Sequence, residues 1–118
     1  MANTQNPLPA CPDSPNCVLT QRSYDIQADV LYKAFEEILT DIAMETPKAD
    51  SQELRITAIF KIPVFGWKDD VDVQVSTVEN KAIAYIRSAS REGYSDLGVN
   101  KRRVKKILSK VDQKLQSK

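Results

Sequence analysis

The stretch KDDVDVQVSTVENKAIAYIRSAS, residues 68–90, determines the kind of fold that the chain can form. In its first half, apolar side chains occupy every second position, at Val71, Val73 and Val75. This period of two is typical of a strand with one face buried and the other in solvent. A polar turn at residues 79–81 separates it from a second run rich in apolar residues. Such a short connection favours an antiparallel hairpin.

The residues before this hairpin predict a further strand and a helix. Apolar and polar residues alternate over residues 54–62, and Pro63 and Gly66 then make a turn into the hairpin. Ahead of that strand, apolar residues recur at the spacing i, i+3, i+4 and i+7 over residues 27–45. This spacing predicts an amphipathic helix, which Pro47 ends.

The last part of the chain predicts a second amphipathic helix. One face of this helix carries the apolar residues Val104, Ile107, Leu108, Val111 and Leu115. With the third strand running from residue 82 to about residue 88, the sequence predicts an α+β fold in the order α-β-β-β-α. We expect a three-stranded antiparallel meander with both helices on one face. The prolines of residues 1–23 predict an extended arm, and residues 24–118 then form a single domain.

The composition limits the chemistry that the chain can perform. It has 118 residues, of which 42% are hydrophobic, and a net charge of +1, but no histidine. The usual proton shuttle at neutral pH and the commonest zinc ligand are therefore absent. Charge is uneven, since residues 101–118 contain eight Lys or Arg and only Asp112 as an acid. No apolar run is long enough to span a membrane and the N-terminus is unlike a signal peptide, so we expect a soluble chain without a leader.

Two cysteines, Cys11 and Cys17, flank the turn-forming residues PDSPN. The turn can bring the thiols together, and a disulfide there would stabilise the arm by about 2 to 3 kcal/mol in the chain-entropy account. Two reduced thiols are an alternative. A metal or redox site is a third, although two thiolates without histidine supply only half of a tetrahedral zinc site.

Three segments together resemble the family known as domain of unknown function 1499. They are CPDSPNCV at residues 11–18, KDDVDV at 68–73 and RSASREGYSDLGVNKRRV at 87–104. The resemblance implies no particular activity. It implies that relatives often carry a leader or a membrane anchor before the cysteine-containing arm, which favours the disulfide. The compartment stays open at this point, and an envelope or plastid-type compartment is one option that the resemblance implies.

Most candidate site residues lie in the polar stretch RSASREGYSDLGVN, residues 87–100. Strand alternation places Asp69 on the apolar side of its strand, where a carboxylate needs a cationic partner. We expect Arg87 and Arg91 to be that partner, and Asn100 to be the N-cap of the final helix. The whole candidate network, binding or structural, is Asp69, Asp70, Arg87, Ser88, Ser90, Arg91, Tyr94, Asp96, Asn100 and Arg102.

The sequence leaves three uses of this network open. The carboxylates and arginines can neutralise each other inside a structural connector. The arginines, serine hydroxyls and helix N-terminus can instead bind a phosphate, sulfate or carboxylate. A small hydrolase-like enzyme using Ser or Asp is the third, but no histidine is present to activate a serine. Because Asp70 and Asp72 alternate to the face opposite Asp69, the aspartates do not converge, and we predict no metal, no cofactor and no catalytic residue.

The final helix also carries a run of positive charge. Its cations are Lys101, Arg102, Arg103, Lys105, Lys106, Lys110 and Lys114. Such a run is most simply a solvated face, but it can bind an acidic protein or an anionic membrane surface. Nucleic acid is not expected, because no aromatic residues are interleaved to stack on bases. The sequence therefore leaves the molecular function unknown and favours a non-catalytic binding or accessory module, with a small enzyme as the alternative.

Overall fold

The hairpin expected in the middle of the sequence lies at the middle of the sheet. The computed structural model describes residues 6–12, 16–61, 67–91 and 98–116, and in these residues it contains a five-stranded antiparallel sheet and two helices. The elements are β1 (Cys17–Tyr24), α1 (Ala28–Ile42), β2 (Lys48–Asp50), β3 (Arg55–Lys61), β4 (Lys68–Val78), β5 (Lys81–Ser90) and α2 (Val99–Gln116). The strand order is β1-β5-β4-β3-β2. The fold is therefore a small α+β domain.

The turn between β4 and β5 follows directly from its residues. Val78 pairs with Lys81, so only Glu79 and Asn80 connect the strands. Both have positive φ, 51° and 68°. This is the conformation of a two-residue turn whose twist matches that of the strands, and Asn adopts it readily.

The sheet has two strands more than the three expected from the sequence. The end of the N-terminal arm is not a free extended segment, because β1 pairs with β5 along its length from Cys17 to Tyr24. At the other edge, β2 pairs with β3. The sequence did not indicate either strand, because β1 has no clear apolar alternation and all three residues of β2 are exposed.

Both helices pack on the face of the sheet that carries Val71, Val73 and Val75. The core between the layers includes Phe35 of α1 and Ile107 of α2, which are fully buried. Their burial explains why the i, i+3, i+4 spacing of apolar residues predicted both helices.

Helix α1 ends at Ile42, three residues before the expected end at Glu45. The backbone is already extended at Ala43, and the Met44 N–H donates to the Ile59 carbonyl of β3 at 3.0 Å. A contact with the sheet, rather than Pro47 alone, therefore ends the helix.

The N-terminal arm crosses the opposite, outer face of the sheet. Leu8 is 4% exposed and packs with Ile83 and Tyr85 of β5 in a second, smaller apolar cluster. Strand β5 is consequently buried on both faces between Ala82 and Ile86. Neither described helix is long and apolar enough to cross a membrane.

Candidate functional site

The candidate residues divide between the two faces of the sheet. Asp69 and Ser88 are fully buried on the face that the helices cover. Asp70, Arg87 and Arg91 have the opposite parity and lie toward the outer face. The network expected as one cluster is therefore two clusters, separated by the sheet.

On the helix side, Asn100 is the centre of a buried group of hydrogen bonds. Its Oδ1 atom accepts from the Ser88 hydroxyl and, at 3.0 Å, from the Arg103 guanidinium. Its Nδ2 atom donates to the Asn16 carbonyl at 3.1 Å and to the Ser90 hydroxyl at 2.9 Å. These bonds use the two lone pairs and the two hydrogens of the side-chain amide. We call Asn16, Asp69, Ser88, Ser90, Asn100 and Arg103 the Asn100 cluster.

The position of Asn100 differs from the expected N-cap. Helix α2 begins at Val99, so Asn100 is its second residue and is fully buried. The Arg102 N–H already donates to the Gly98 carbonyl at 3.0 Å, and Gly98 has a φ of 80°. Gly98 thus gives the chain the left-handed conformation from which α2 starts, and the Asn100 side chain connects the helix to β5 and to the end of the arm.

The buried carboxylate of Asp69 is paired with Arg103. One guanidinium nitrogen of Arg103 lies 2.6 Å from Asp69 Oδ2, and the side chains are 11% and 0% exposed. The same guanidinium stacks over the Phe60 ring, 4.8 Å from its centroid. Pairing with Arg103 lowers the cost of burying the Asp69 charge, and the ring adds a cation–π contact.

Arg87 and Arg91, the partners expected for Asp69, have other contacts because they face the outer side. Arg87 Nε donates to the Pro9 carbonyl of the arm at 2.9 Å. Arg91 makes two hydrogen bonds of 2.8 Å to the Asp70 carboxylate. These hydrogen bonds to Asp70 raise the pKa of the Arg91 guanidinium above its ordinary value.

The remaining candidates are a cysteine pair, an exposed arginine and two residues of the loop. Cys11 and Cys17 are placed at disulfide distance, with Cα atoms 5.6 Å apart, which is the pairing that the sequence favours. Arg102 is exposed in the first turn of α2. Tyr94 and Asp96 lie outside the described residues.

In the Asn100 cluster, the Ser88 hydroxyl and the Asp69 carboxylate are each held by another member of the cluster. The Ser88 hydroxyl donates to an amide oxygen, which is not a base and cannot activate a nucleophile. In the described part of the chain, no three Cys, Asp or Glu side chains are grouped to hold a metal ion. The Asn100 cluster instead connects the arm, β4, β5 and α2.

Sequence reasoning missed two members of the cluster, Asn16 and Arg103. Asn16 takes part through its backbone carbonyl, which leaves no signal in the sequence. A signal for Arg103 was available, because it lies three residues after Asn100 and so on the same helix face. Asp69 points to the helix side, whereas Arg87 and Arg91 lie toward the outer face, so neither of these two arginines can be its partner.

Beside this cluster, an open cleft of about 340 Å³ lies between α1, β3 and the start of α2. Its described lining includes the apolar residues Ile42, Phe60 and Val99. The cations at the cleft are Lys61, Arg102, Arg103 and Lys106. No carboxylate is among the described residues that line it.

Comparison with solved structures shows the fold alone. The chain is similar to the di-domain ARO/CYC protein BexL from the BE-7585A biosynthetic pathway, with a TM-score of 0.62 and 11% identity over 85% of this chain. It spans 46% of the length of that chain. It also matches CalU16 from Micromonospora echinospora at 13% identity and a TM-score of 0.46, over 86% of this chain and 79% of that one.

Comparison with protein families gives a clear assignment. No curated protein matches the chain. A family model described as "Protein of unknown function (DUF1499)" matches residues 7–111, which include β1 to β5 and most of α2. The chain therefore belongs to the DUF1499 family of proteins of unknown function.

Proposed function

We propose that this chain is a non-catalytic binding module that docks onto an anionic partner through the solvent-facing side of α2. Four cations on this side are exposed: Lys101, Arg102, Lys105 and Lys106. We call these four residues the basic face. The sequence led us to expect the anionic site at Arg87 and Arg91 instead. In the structure, Arg87 donates to the Pro9 carbonyl and Arg91 donates to the Asp70 carboxylate.

The proposal rests on a difference between two groups of cations on α2. Other cations of α2 are neutralised within the chain, since Arg103 pairs with Asp69 and Lys114 lies 2.9 Å from Glu37. In contrast, neither Lys101 nor Lys105 lies within 4 Å of any carboxylate in the described residues. The chain therefore neutralises Arg103 and Lys114 internally and leaves the charges of Lys101 and Lys105 facing solvent.

The basic face also lowers the stability of the helix that carries it. Lys101 and Lys105 are an i, i+4 pair of like charge. Lys101 also lies in the first turn of α2, where the helix dipole disfavours cations. An anionic partner would relieve both effects, which supports a binding role over a merely solvated face.

A matched pair of variants tests the proposal in the full chain. K101Q/K105Q removes two charges from the basic face, and K33Q/K48Q removes two from exposed positions on α1 and β2. Binding is measured by flotation with vesicles of phosphatidylglycerol and phosphatidylcholine, and by titration with poly-glutamate. At about 1 kcal/mol per lysine near an anionic membrane surface, K101Q/K105Q should weaken vesicle binding by about 2 kcal/mol, or about 30-fold, and the control should not.

Salt separates charge-driven binding from other modes. Raising the salt from 50 to 500 mM should abolish most of the binding, because exposed charges are screened within a few ångströms at high ionic strength. If the protein binds neither anionic probe, or if both double variants lose binding equally, the basic face is not a docking site and the proposal is wrong.

A further inference from the structure

The cleft between α1, β3 and α2 places partly exposed apolar side chains next to exposed cations. Ile42 and Val99 are partly exposed apolar residues at the end of α1 and the start of α2. Lys61 and Lys106 stand at the same cleft and are exposed. An apolar floor beside cations is suited to a ligand that has an anionic group and an alkyl chain.

The floor of the cleft is held in place by the Asn100 cluster. Arg103 stacks on Phe60 and pairs with Asp69, so its charge is neutralised beneath the cleft. Asn100 fixes the same guanidinium with a 3.0 Å hydrogen bond. The apolar surface is therefore set before any ligand arrives, which lowers the entropic cost of binding.

The charge at the cleft favours an anion. Neither Lys61 nor Lys106 has a carboxylate within 4 Å among the described residues. The N-terminal end of α2 adds its partial positive charge at Val99, which also lines the cleft. Glu45, a nearby acid, is directed to Lys68 at 3.7 Å and does not line the cleft.

We propose that the cleft binds an anionic lipid of a membrane surface, with the phosphate near Lys61 and Lys106 and the first part of the alkyl chain against Ile42 and Val99. The inference rests on the proposed function and names its partner, because a membrane lipid supplies charge and apolar surface together. An acidic protein segment would engage the basic face without needing the apolar floor.

Three soluble probes, each used below its critical micelle concentration, separate the contribution of the anionic group from that of the alkyl chain. Octyl phosphate has both an anionic group and a chain, inorganic phosphate has only the anion, and octyl glucoside has only the chain. Titration of the full chain, followed by calorimetry and by amide chemical shifts, should show octyl phosphate binding at least about tenfold more tightly than either of the others. The shifts should be largest at Lys61 and at residues 98–106.

Two variants then assign the binding to the cleft. K61Q/K106Q should weaken octyl phosphate binding at least about fivefold, whereas K33Q/K48Q should leave it unchanged. V99S keeps every charge but removes apolar surface from the cleft. It should therefore reduce the ratio of the affinity for octyl phosphate to the affinity for inorganic phosphate. Circular dichroism and thermal melting of each variant establish that it is folded.

The outcomes of these titrations either support the lipid site or overturn it. Octyl phosphate binding no tighter than inorganic phosphate overturns it, as does tight binding that V99S and K61Q/K106Q leave unchanged. Salt-sensitive binding of poly-glutamate without binding of octyl phosphate or of phosphatidylglycerol vesicles keeps the proposed function and overturns the lipid, in favour of an acidic protein. Failure of all anionic probes overturns both proposals.

Discussion

The hydrogen bonds of Asn100 explain why the buried position at the start of α2 holds a side-chain amide. It joins three parts of the chain, because its partners lie at the end of the arm, on β5 and one helical turn further along α2. A carboxylate there would lose both Nδ2 donors and place a second negative charge near Asp69. A leucine would leave the Ser88 hydroxyl and the Asn16 carbonyl without these partners in a buried site.

The Arg103 and Asp69 pair gives the sharpest single-residue expectation. Changing Arg103 to Met keeps the length of the side chain but leaves the Asp69 carboxylate buried and uncompensated. We expect the free energy of unfolding to fall by about 3–5 kcal/mol, measured by urea denaturation, because an unpaired buried charge is costly. Adding Asp69→Asn to Arg103→Met should recover part of this loss.

The exposed pair of Arg91 and Asp70 is the matched control. Both side chains are about one-third or more exposed, at 44% and 32%. Solvent screens this pair, so Arg91→Met should change stability far less than Arg103→Met. Equal losses in the two variants would mean that Asp69 is not the residue whose charge needs Arg103.

The sequence predicted the burial of Asp69 but not its partner. The parity with Val71, Val73 and Val75 already placed the carboxylate on the apolar side. Choosing among Arg87, Arg91 and Arg103 required knowing which layer covers that side. Such a choice depends on contacts between residues more than 30 positions apart, which local patterns do not encode.

A strand or helix was predictable from the sequence where the spacing of its own apolar residues indicates which face is buried. The period of two in β3 and β4 and the helical spacing in α1 and α2 reflect burial of one face, so they could be read directly. Strand β1 forms for a different reason, since its backbone completes the hydrogen bonding of β5. Its existence follows from the edge that β5 presents rather than from its own composition.

The far end of β1 is attached to α2 through a tyrosine. The Tyr24 hydroxyl donates to Asp112 Oδ1 at 2.8 Å, and Arg22 Nη1 lies 2.6 Å from Asp112 Oδ2. Burial, and then the hydrogen bond to Asp112, raise the pKa of Tyr24 well above its usual value of 10. The neutral phenol is the form that fits this contact.

This shift predicts a loss of stability at alkaline pH. Because the pKa of Tyr24 is higher in the folded than in the unfolded chain, the folded chain holds the proton more tightly. The contribution is fully present below pH 10, the ordinary pKa, and falls progressively as the pH rises above it. We expect unfolding experiments between pH 8 and 11 to show a steeper decline for the natural chain than for Tyr24→Phe. Parallel curves would contradict the assignment.

Across the molecule, the sheet has a different role on each face. The helices cover one face and build the main core, and the arm covers the outer face with Leu8 over Ile83 and Tyr85. Charge is also segregated, since the excess of cations lies on α2 while the rest of the chain is acidic. The basic face is therefore presented on the outside of the helical layer, where an extended surface can approach it without disturbing the arm.

The arm should open as a unit when the Cys11 and Cys17 pair is lost. The pair closes a seven-residue loop next to β1, and Arg87 and Leu8 hold the preceding residues on the sheet. By the loop-closure account, C11S/C17S should lower the free energy of unfolding by about 2 kcal/mol. We expect hydrogen exchange to quicken in Cys17–Tyr24 and to change little in β3 and β4, which pair with each other and do not touch the arm's edge of the sheet. A reductant should reproduce this pattern in the natural chain and have no effect on C11S/C17S. Uniform acceleration across all strands would instead show that the arm and the sheet unfold as one cooperative unit.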